Sequence, residues 1–460
     1  MNPELHKKDF EGRLRSVIPG GSHTYSRGRD QFPSAMPPIL SRGKGCYVWG
    51  EQGEKFLDYG MALRSVGIGY AEKSVNRAVR KTIGLGNSLT LPHFTELAAA
   101  EKAQELFSGA EMIKFAKNGS NVTTAAIKLA RAYTRRNMVA APIEQPFFSF
   151  DDWFIGSTLM SRGVASGSAE NTLRFKYSDI SSLQGLFQKF PGEIACVIME
   201  PATSIVPCGS HTSQETFAEL RGPCNACETS GKNLLTKIRE LCHRNGALYI
   251  SDEMITGFRW SLSGTAAAFG VEPDISTFGK AIANGFSLAV LAGKKEIMEL
   301  GSFEPIGAER TFLLSSTHGA EMSSLGAFLT VAKLYEEKNI TDYLWDFGKA
   351  LRGLLVSYIE DFGLSKYLQV KGPNVLLTLD FNIGEESRNA KARTLFLQEM
   401  VRNGVIMPWI APSYRHGSLE LRKTERALET SLSVVKKAIE SDDYSGLTGP
   451  AAKPVFRKYN

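Results

Sequence analysis

The sequence predicts an α/β protein. A large domain has a mostly parallel sheet between helices, and a smaller α+β domain is built from both chain ends. Three observations carry this. Short, continuous apolar runs alternate with helical periodicity through the middle of the chain, as strands buried on both faces require. A hairpin pattern stands apart from them near the N-terminus. Helical periodicity dominates again after about residue 325, with one strand-like run near residues 374–381. The chain has 460 residues, 43 % hydrophobic and 22 % charged, which is globular composition and excludes a disordered, collagenous or coiled-coil bulk. Its length provides for two or three domains.

In chain order, residues 5–17 read as a helix stopped by Pro19-Gly20-Gly21. Residues 45–50 and 55–59 alternate like two strands around Glu51-Gln52-Gly53-Glu54, the expected hairpin. Residues 194–199, 247–250 and 287–292 are the buried-strand candidates, and 121–133 and 233–243 the helical ones. Two stretches break the order. Residues 147–170 are aromatic, then rich in Ser and Gly, and read as a lid. Residues 205–232 are polar, carry Cys208, Cys224 and Cys227, and read as an insertion. The expected division is an N-terminal segment with part of the small domain at 1–75, the large cofactor-binding domain at 76–325, and the C-terminal small domain at 326–460.

Charge is nearly balanced: 54 Lys+Arg against 48 Asp+Glu give +6. That suits small phosphorylated or carboxylated partners and does not call for nucleic acid. No run approaches the roughly 18 apolar residues of a membrane helix. The first residues lack the apolar core of a secretory signal, so a cytoplasmic location is expected. Six cysteines in so long a chain do not make a disulfide framework.

Three polar segments follow strand candidates. They are Ser251-Asp252-Glu253-Met254-Ile255-Thr256-Gly257-Phe258-Arg259, then the run from Asp274 through Gly279-Lys280 to Gly285, and Lys117-Asn118-Gly119-Ser120-Asn121. Singly they read as a turn acid, a solvated lysine and a helix cap. Together they supply one chemistry. An amine on a flexible stem forms an imine with an aldehyde. A buried carboxylate holds a pyridine nitrogen protonated, through a charge-assisted bond, and makes the ring an electron sink. A Gly-Ser turn at a helix start offers N–H groups to a phosphate. These are the requirements of pyridoxal 5'-phosphate.

At these residues the chain resembles the class III pyridoxal-phosphate aminotransferases of fold type I, in their glutamate-1-semialdehyde aminomutase-like branch. The resemblance runs from about residue 18 to residue 430. Its most specific pieces are the 252–259 motif and Thr277-Phe278-Gly279-Lys280, with 28 residues from Asp252 to Lys280. The helix opening at Gly119-Ser120 and the Glu200-Pro201 pair agree with it. The resemblance implies that Lys280 holds the cofactor and then moves protons. It also implies that Asp252 pairs with the pyridine nitrogen and that Met254 presses on one ring face. On the other face it implies an aromatic, Phe147 or, with a one-residue slip, Phe148. Asn118, Gly119 and Ser120 take the phosphate, Glu200 lies in the cofactor site, and Ser316 and Thr317 reach a neighbouring subunit's phosphate. A homodimer with shared active sites follows from that. Thr24 and Arg27, after Pro19-Gly20-Gly21, stand where the branch holds its substrate.

The departures point away from the mutase reaction. The C-terminal segment Trp409 to Ser418 has no acid, Val66-Gly67-Ile68-Gly69-Tyr70-Ala71 replaces a His-rich segment, and Phe147-Phe148 replaces Tyr-His. The expected activity is transfer of an amino group from a small amino donor to a carbonyl acceptor, with Arg27 and the Arg415-His416 pair suited to an anion. The mutase reaction is the alternative. A further alternative is a non-catalytic protein of this fold, or one stabilised by zinc on Cys208, Cys224, Cys227 and Cys242-His243.

Overall fold

Asp9 caps the first helix, Phe10–Val17, by accepting a hydrogen bond from the Gly12 N–H at 2.8 Å. The computed structural model describes residues 9–207, 232–304, 306–307 and 309–460, so residues 5–8 of the expected helix and most of the 205–232 insertion lie outside it. The chain forms two units, Met1–Glu72 with Asp342–Arg457, and Lys73–Thr341 with Lys458–Asn460. The expected boundary after residue 325 falls inside the helix Met322–Lys338, which stays whole within the second unit.

In the terminal unit, β1 (Leu40–Lys44), β2 (Tyr47–Gly50) and β3 (Lys55–Asp58) form an antiparallel meander, and the β2–β3 turn is the expected hairpin. The two ends of the chain join where Val405 and Ile406, a short strand, pair in parallel with Leu57 and Asp58. Leu395, Met400, Leu428, Leu432 and Val435, from the helices Glu386–Arg402 and Ser418–Ser441, pack with Leu57 in its core.

The central unit contains β4 (Met112–Ala116), β5 (Met138–Pro142), β6 (Thr172–Phe175), β7 (Ile194–Met199), β8 (Leu248–Glu253), β9 (Ile275–Phe278) and β10 (Ala289–Gly293). Their order is β4-β10-β9-β8-β7-β5-β6. All neighbours from β9 to β6 are parallel, and β10 runs antiparallel to both β9 and β4. Every residue of β7 is buried, which is why its sequence shows no polar alternation. The helix Gly119–Thr134 buries Val122, Ala126, Leu129 and Ala130. The hairpin β11 (Leu368–Lys371) and β12 (Thr378–Phe381) and the two-residue strand β13 (Val405–Ile406) complete the strands of the terminal unit.

Candidate active site

β8 runs three residues past the apolar stretch 247–250, because its polar end keeps register with β9: Ser251 faces Ser276, Asp252 faces Thr277 and Glu253 faces Phe278. Asp252 therefore sits at the carboxyl end of a central parallel strand, where such sheets bind ligands. It is 3 % exposed. Its Oδ1 accepts the Thr277 hydroxyl at 3.1 Å and the Met254 N–H at 3.0 Å. Burial pushes its pKa up to about 6, against the opposing pull of the Lys280 ammonium.

Lys280 opens a short 3-10 helix, Lys280–Ala283, directly after β9, and is half-buried. Its φ of 49° is left-handed, a conformation unusual for a side chain of this kind and typical of functional turns. Gly279 precedes it for a steric reason. A Cβ there would stand 2.6 Å from the Met254 sulfur, and one on Gly119 would stand 3.0 Å from the same atom. Met254 thus lies against both the lysine turn and the phosphate-loop turn, and the two glycines make room for it.

Asn118 caps the helix Gly119–Thr134 by accepting the Asn121 N–H at 3.2 Å. The first turns of this helix also bind the aromatic stretch. Ser120 Oγ accepts the Phe150 N–H at 3.1 Å, and the Thr123 hydroxyl donates to the Phe148 carbonyl at 2.8 Å. The Thr124 hydroxyl donates to Asp151 at 2.6 Å and accepts the Trp153 indole N–H at 2.8 Å. The Ser120 hydroxyl proton stays available to an anion at the helix N-terminus. Phe148 is 2 % exposed and sits in the core edge-on to Phe154, whereas Phe147 is 43 % exposed. Of the two aromatics, Phe147 is the one with a face to offer.

Glu200, at the end of β7, is buried and clamped through its backbone. Its N–H donates to Gln145 Oε1 at 2.8 Å, and its carbonyl accepts Gln145 Nε2 at 2.7 Å. Ser316 and Thr317 stand exposed in a turn. The same segment is tied to the phosphate loop by Glu321, whose Oε2 lies 2.8 Å from Lys117 Nζ. Thr24 and Arg27 belong to the terminal unit, Thr24 half-buried and Arg27 exposed on the short helix Tyr25–Arg27.

Two expectations need correction. Arg415 is bonded to Glu72, and His416 is wholly buried, stacked on Tyr59 at 4.6 Å with Nδ1 facing Ser413. This pair is a fold element and not an anion site. Of the zinc candidates, Cys242 is buried and the His243 ring pairs with Asp274 at 2.9 Å. Cys208, Cys224 and Cys227 lie outside the described residues.

The sequence reading missed Thr277, Gln145 and Glu253. Thr277 shows only as the residue opposite an acid on a neighbouring strand. Gln145 carries no local signal. Glu253 is 1 % exposed and accepts the Ser251 hydroxyl, the Thr256 hydroxyl and the N–H groups of Thr265 and Ala266, the last two at 2.9 Å. It locks the loop that follows β8 and so holds Asp252 at its end.

Residues 30–409 match the family model of aminotransferase class-III. The glutamate-1-semialdehyde 2,1-aminomutase of Clostridium acetobutylicum is 27 % identical, the match covering 94 % of this chain and 99 % of that protein. The 3-aminobutyryl-CoA aminotransferase of Cloacimonas acidaminovorans is 28 % identical, over 92 % and 96 %. Among solved structures, the Sphingopyxis sp. MTA144 FumI protein in its PLP internal aldimine form superposes with a TM-score of 0.81 at 22 % identity, over 95 % and 98 %. By the family match over residues 30–409, the chain belongs to the class-III aminotransferases, enzymes that use pyridoxal 5'-phosphate.

Proposed function

We propose that the protein transfers an amino group between two small molecules, an amino donor and an anionic carbonyl acceptor, at a site built on Asp252 and Lys280. The observation that carries this is Asp252, buried at the carboxyl end of β8 within the electrostatic reach of the Lys280 ammonium, its pKa pushed up by burial to about 6. The residues present fit the cofactor. Asp252 would hold its ring nitrogen, Met254 and Phe147 its two faces, and Asn118, Gly119 and Ser120 its phosphate, with Glu200 behind. Pyridoxal 5'-phosphate, when bound, supplies an electron sink for the carbon that loses its proton.

The chain's own residues do the rest. Lys280 would hold the cofactor through Nζ, and once freed that amine would serve as the base that takes the proton from the substrate carbon and returns it. Asp252 would keep positive charge on the ring nitrogen, through a bond strengthened by its low-dielectric setting. Thr277 and the Met254 N–H hold that carboxylate in place. Arg27, with Thr24, grips the acceptor's anion.

The working enzyme is read as a homodimer in which Ser316 and Thr317 complete the partner's phosphate site. Supporting this, Leu85, Leu89, Leu91, Phe94 and Leu97, close together in the chain, are each more than half exposed, as are Phe303 and Phe312. Among the described residues no helix is long and apolar enough to cross a membrane. A cytoplasmic location is the reading that accompanies these proposals.

Purified protein should be yellow. A panel of keto acids, amino sugars and semialdehydes, assayed with Glu and Ala as donors, identifies the acceptor. Conversion of glutamate-1-semialdehyde with no added donor would favour the mutase reaction instead, the second reading that the 27 % identical relative supports. Lys280→Ala should abolish turnover with an unchanged circular dichroism spectrum; full activity would overturn the proposal.

A further inference from the structure

The terminal unit holds a cavity of about 550 Å³, lined by residues of that unit alone. Sites of roughly 300–1,000 Å³ take ligands of some twenty or more atoms, well beyond a five-carbon amino acid. Its charges are unequal. Arg15, Arg27, Arg29 and Arg42 line it against only two carboxyls, Glu11 and Asp58. Glu11 pairs with Arg15 at 2.6 Å and with Arg29 at 3.2 Å. Arg29 also donates to the carbonyls of Ser34 and Met36, both at 2.8 Å.

Asp58 is turned inward. It accepts the Tyr70 hydroxyl at 2.6 Å and the Gly60 N–H at 2.7 Å, and burial raises its pKa. Two guanidinium groups are left. Arg42 lies over the Trp49 ring at 4.1 Å, and the Arg27 guanidinium has neither a hydrogen bond nor an ion pair among the described residues. Two uncompensated cations at one cavity match a dianion.

Part of the lining is aromatic and apolar. Phe32 and Trp409, with ring centroids 6.2 Å apart, form it together with Met36. The Trp409 indole N–H is tied to the Gly60 carbonyl at 2.9 Å, so this ring is already oriented. Beside it run four consecutive non-glycine residues with left-handed φ: Met61 at 40°, Ala62 at 49°, Leu63 at 60° and Arg64 at 69°. Each costs on the order of 1 kcal/mol, and such strain collects at ligand sites. Ala62 and Leu63 line the cavity.

We infer that this cavity is a binding site for a ring-bearing organic phosphate, its dianion at Arg27 and Arg42 and its ring against Trp409 and Phe32. The inference shares Arg27 with the functional reading above and rests otherwise on residues that reading does not use. A ligand of this class could be a nucleotide or an aryl phosphate. Calorimetric titration of the cofactor-loaded full chain with adenosine 5'-monophosphate, phenyl phosphate and inorganic phosphate separates these.

At least one of the two ring phosphates should saturate a single site and bind at least about tenfold more tightly than inorganic phosphate. Arg27→Gln should weaken it by about 10- to 100-fold, as loss of a charged hydrogen bond does, and Arg27→Lys by less. Phe32→Ala should weaken the ring phosphates and leave inorganic phosphate unchanged. Binding that persists in a protein with no transaminase activity would leave this site standing and remove the catalytic reading. Three results would overturn the site: no preference for the ring, undiminished binding in Arg27→Gln, or release of the cofactor's colour as the probe is added, which would put the phosphate at Asn118–Ser120.

Discussion

Asp252 concentrates the chemistry of the site in one buried carboxyl. Because its folded pKa is raised, it favours folding most below the ordinary value of 3.8, and that contribution is lost as pH rises through about 6. Above pH 6 the cofactor-free chain carries a charged Asp252 at a cost of up to about 3 kcal/mol, the equivalent of two pH units. Asp252→Asn keeps an oxygen for Thr277 and the Met254 N–H but removes the charge. The cofactor-free variant should therefore melt higher than the parent at pH 7.5, and the gap should close toward pH 5. Adding cofactor should raise the melting temperature of the parent more than that of the variant, and turnover in the variant should fall by at least tenfold. Equal melting temperatures at pH 7.5 would mean that burial does not strain this carboxyl.

One helix start organises two parts of the site. The helix Gly119–Thr134 offers its N-terminus to a phosphate, and through Ser120, Thr123 and Thr124 it also holds the backbone and side chains of residues 148–153. Thr124 is the hub, since it bonds both Asp151 and the Trp153 indole. Thr124→Val keeps the shape but leaves the half-buried Asp151 carboxylate and the Trp153 indole N–H without this partner, at about 1–3 kcal/mol. Cofactor affinity, read by equilibrium dialysis, should drop about tenfold, while far-ultraviolet circular dichroism stays the same. Glu253 does the corresponding work at the end of β8. Glu253→Ala removes acceptors from two hydroxyls and two N–H groups and should lower the unfolding free energy, read by urea titration, more than any surface substitution, by about 3 kcal/mol or more.

At the scale of the whole molecule, the exposed leucines of residues 85–97 and Phe94 are the surface on which the proposed dimer would close. Phe94 is 85 % exposed and Leu91 74 %. Burying such side chains is worth roughly 1.5–3 kcal/mol each, so a single charge among them should split a dimer. Phe94→Glu should sediment as a monomer and lose most of its activity together, since the site is read as shared. An active monomer would remove Ser316 and Thr317 from the partner's phosphate site.

The candidate site could be proposed from the sequence because its motifs are local. A lysine after Thr-Phe-Gly, an acid at a strand end and an Asn-Gly-Ser helix start are each set by a few adjacent residues, and the buried strands declare themselves by having no polar alternation. The hairpin 45–59 and the helices near 121–133 and 233–243 are legible for the same reason. What only the tertiary structure decided depends on residues far apart in the chain. The burial of Phe148 rests on its contacts with Thr123 and Phe154. The burial of His416 rests on Tyr59, and the pairing of Arg415 on Glu72, each more than 300 positions away. Asp252 meets Thr277 only because two strands lie side by side, and the cavity of the terminal unit exists only because β13 joins the chain's two ends. Periodicity records which face a residue turns inward; it does not record what it meets there.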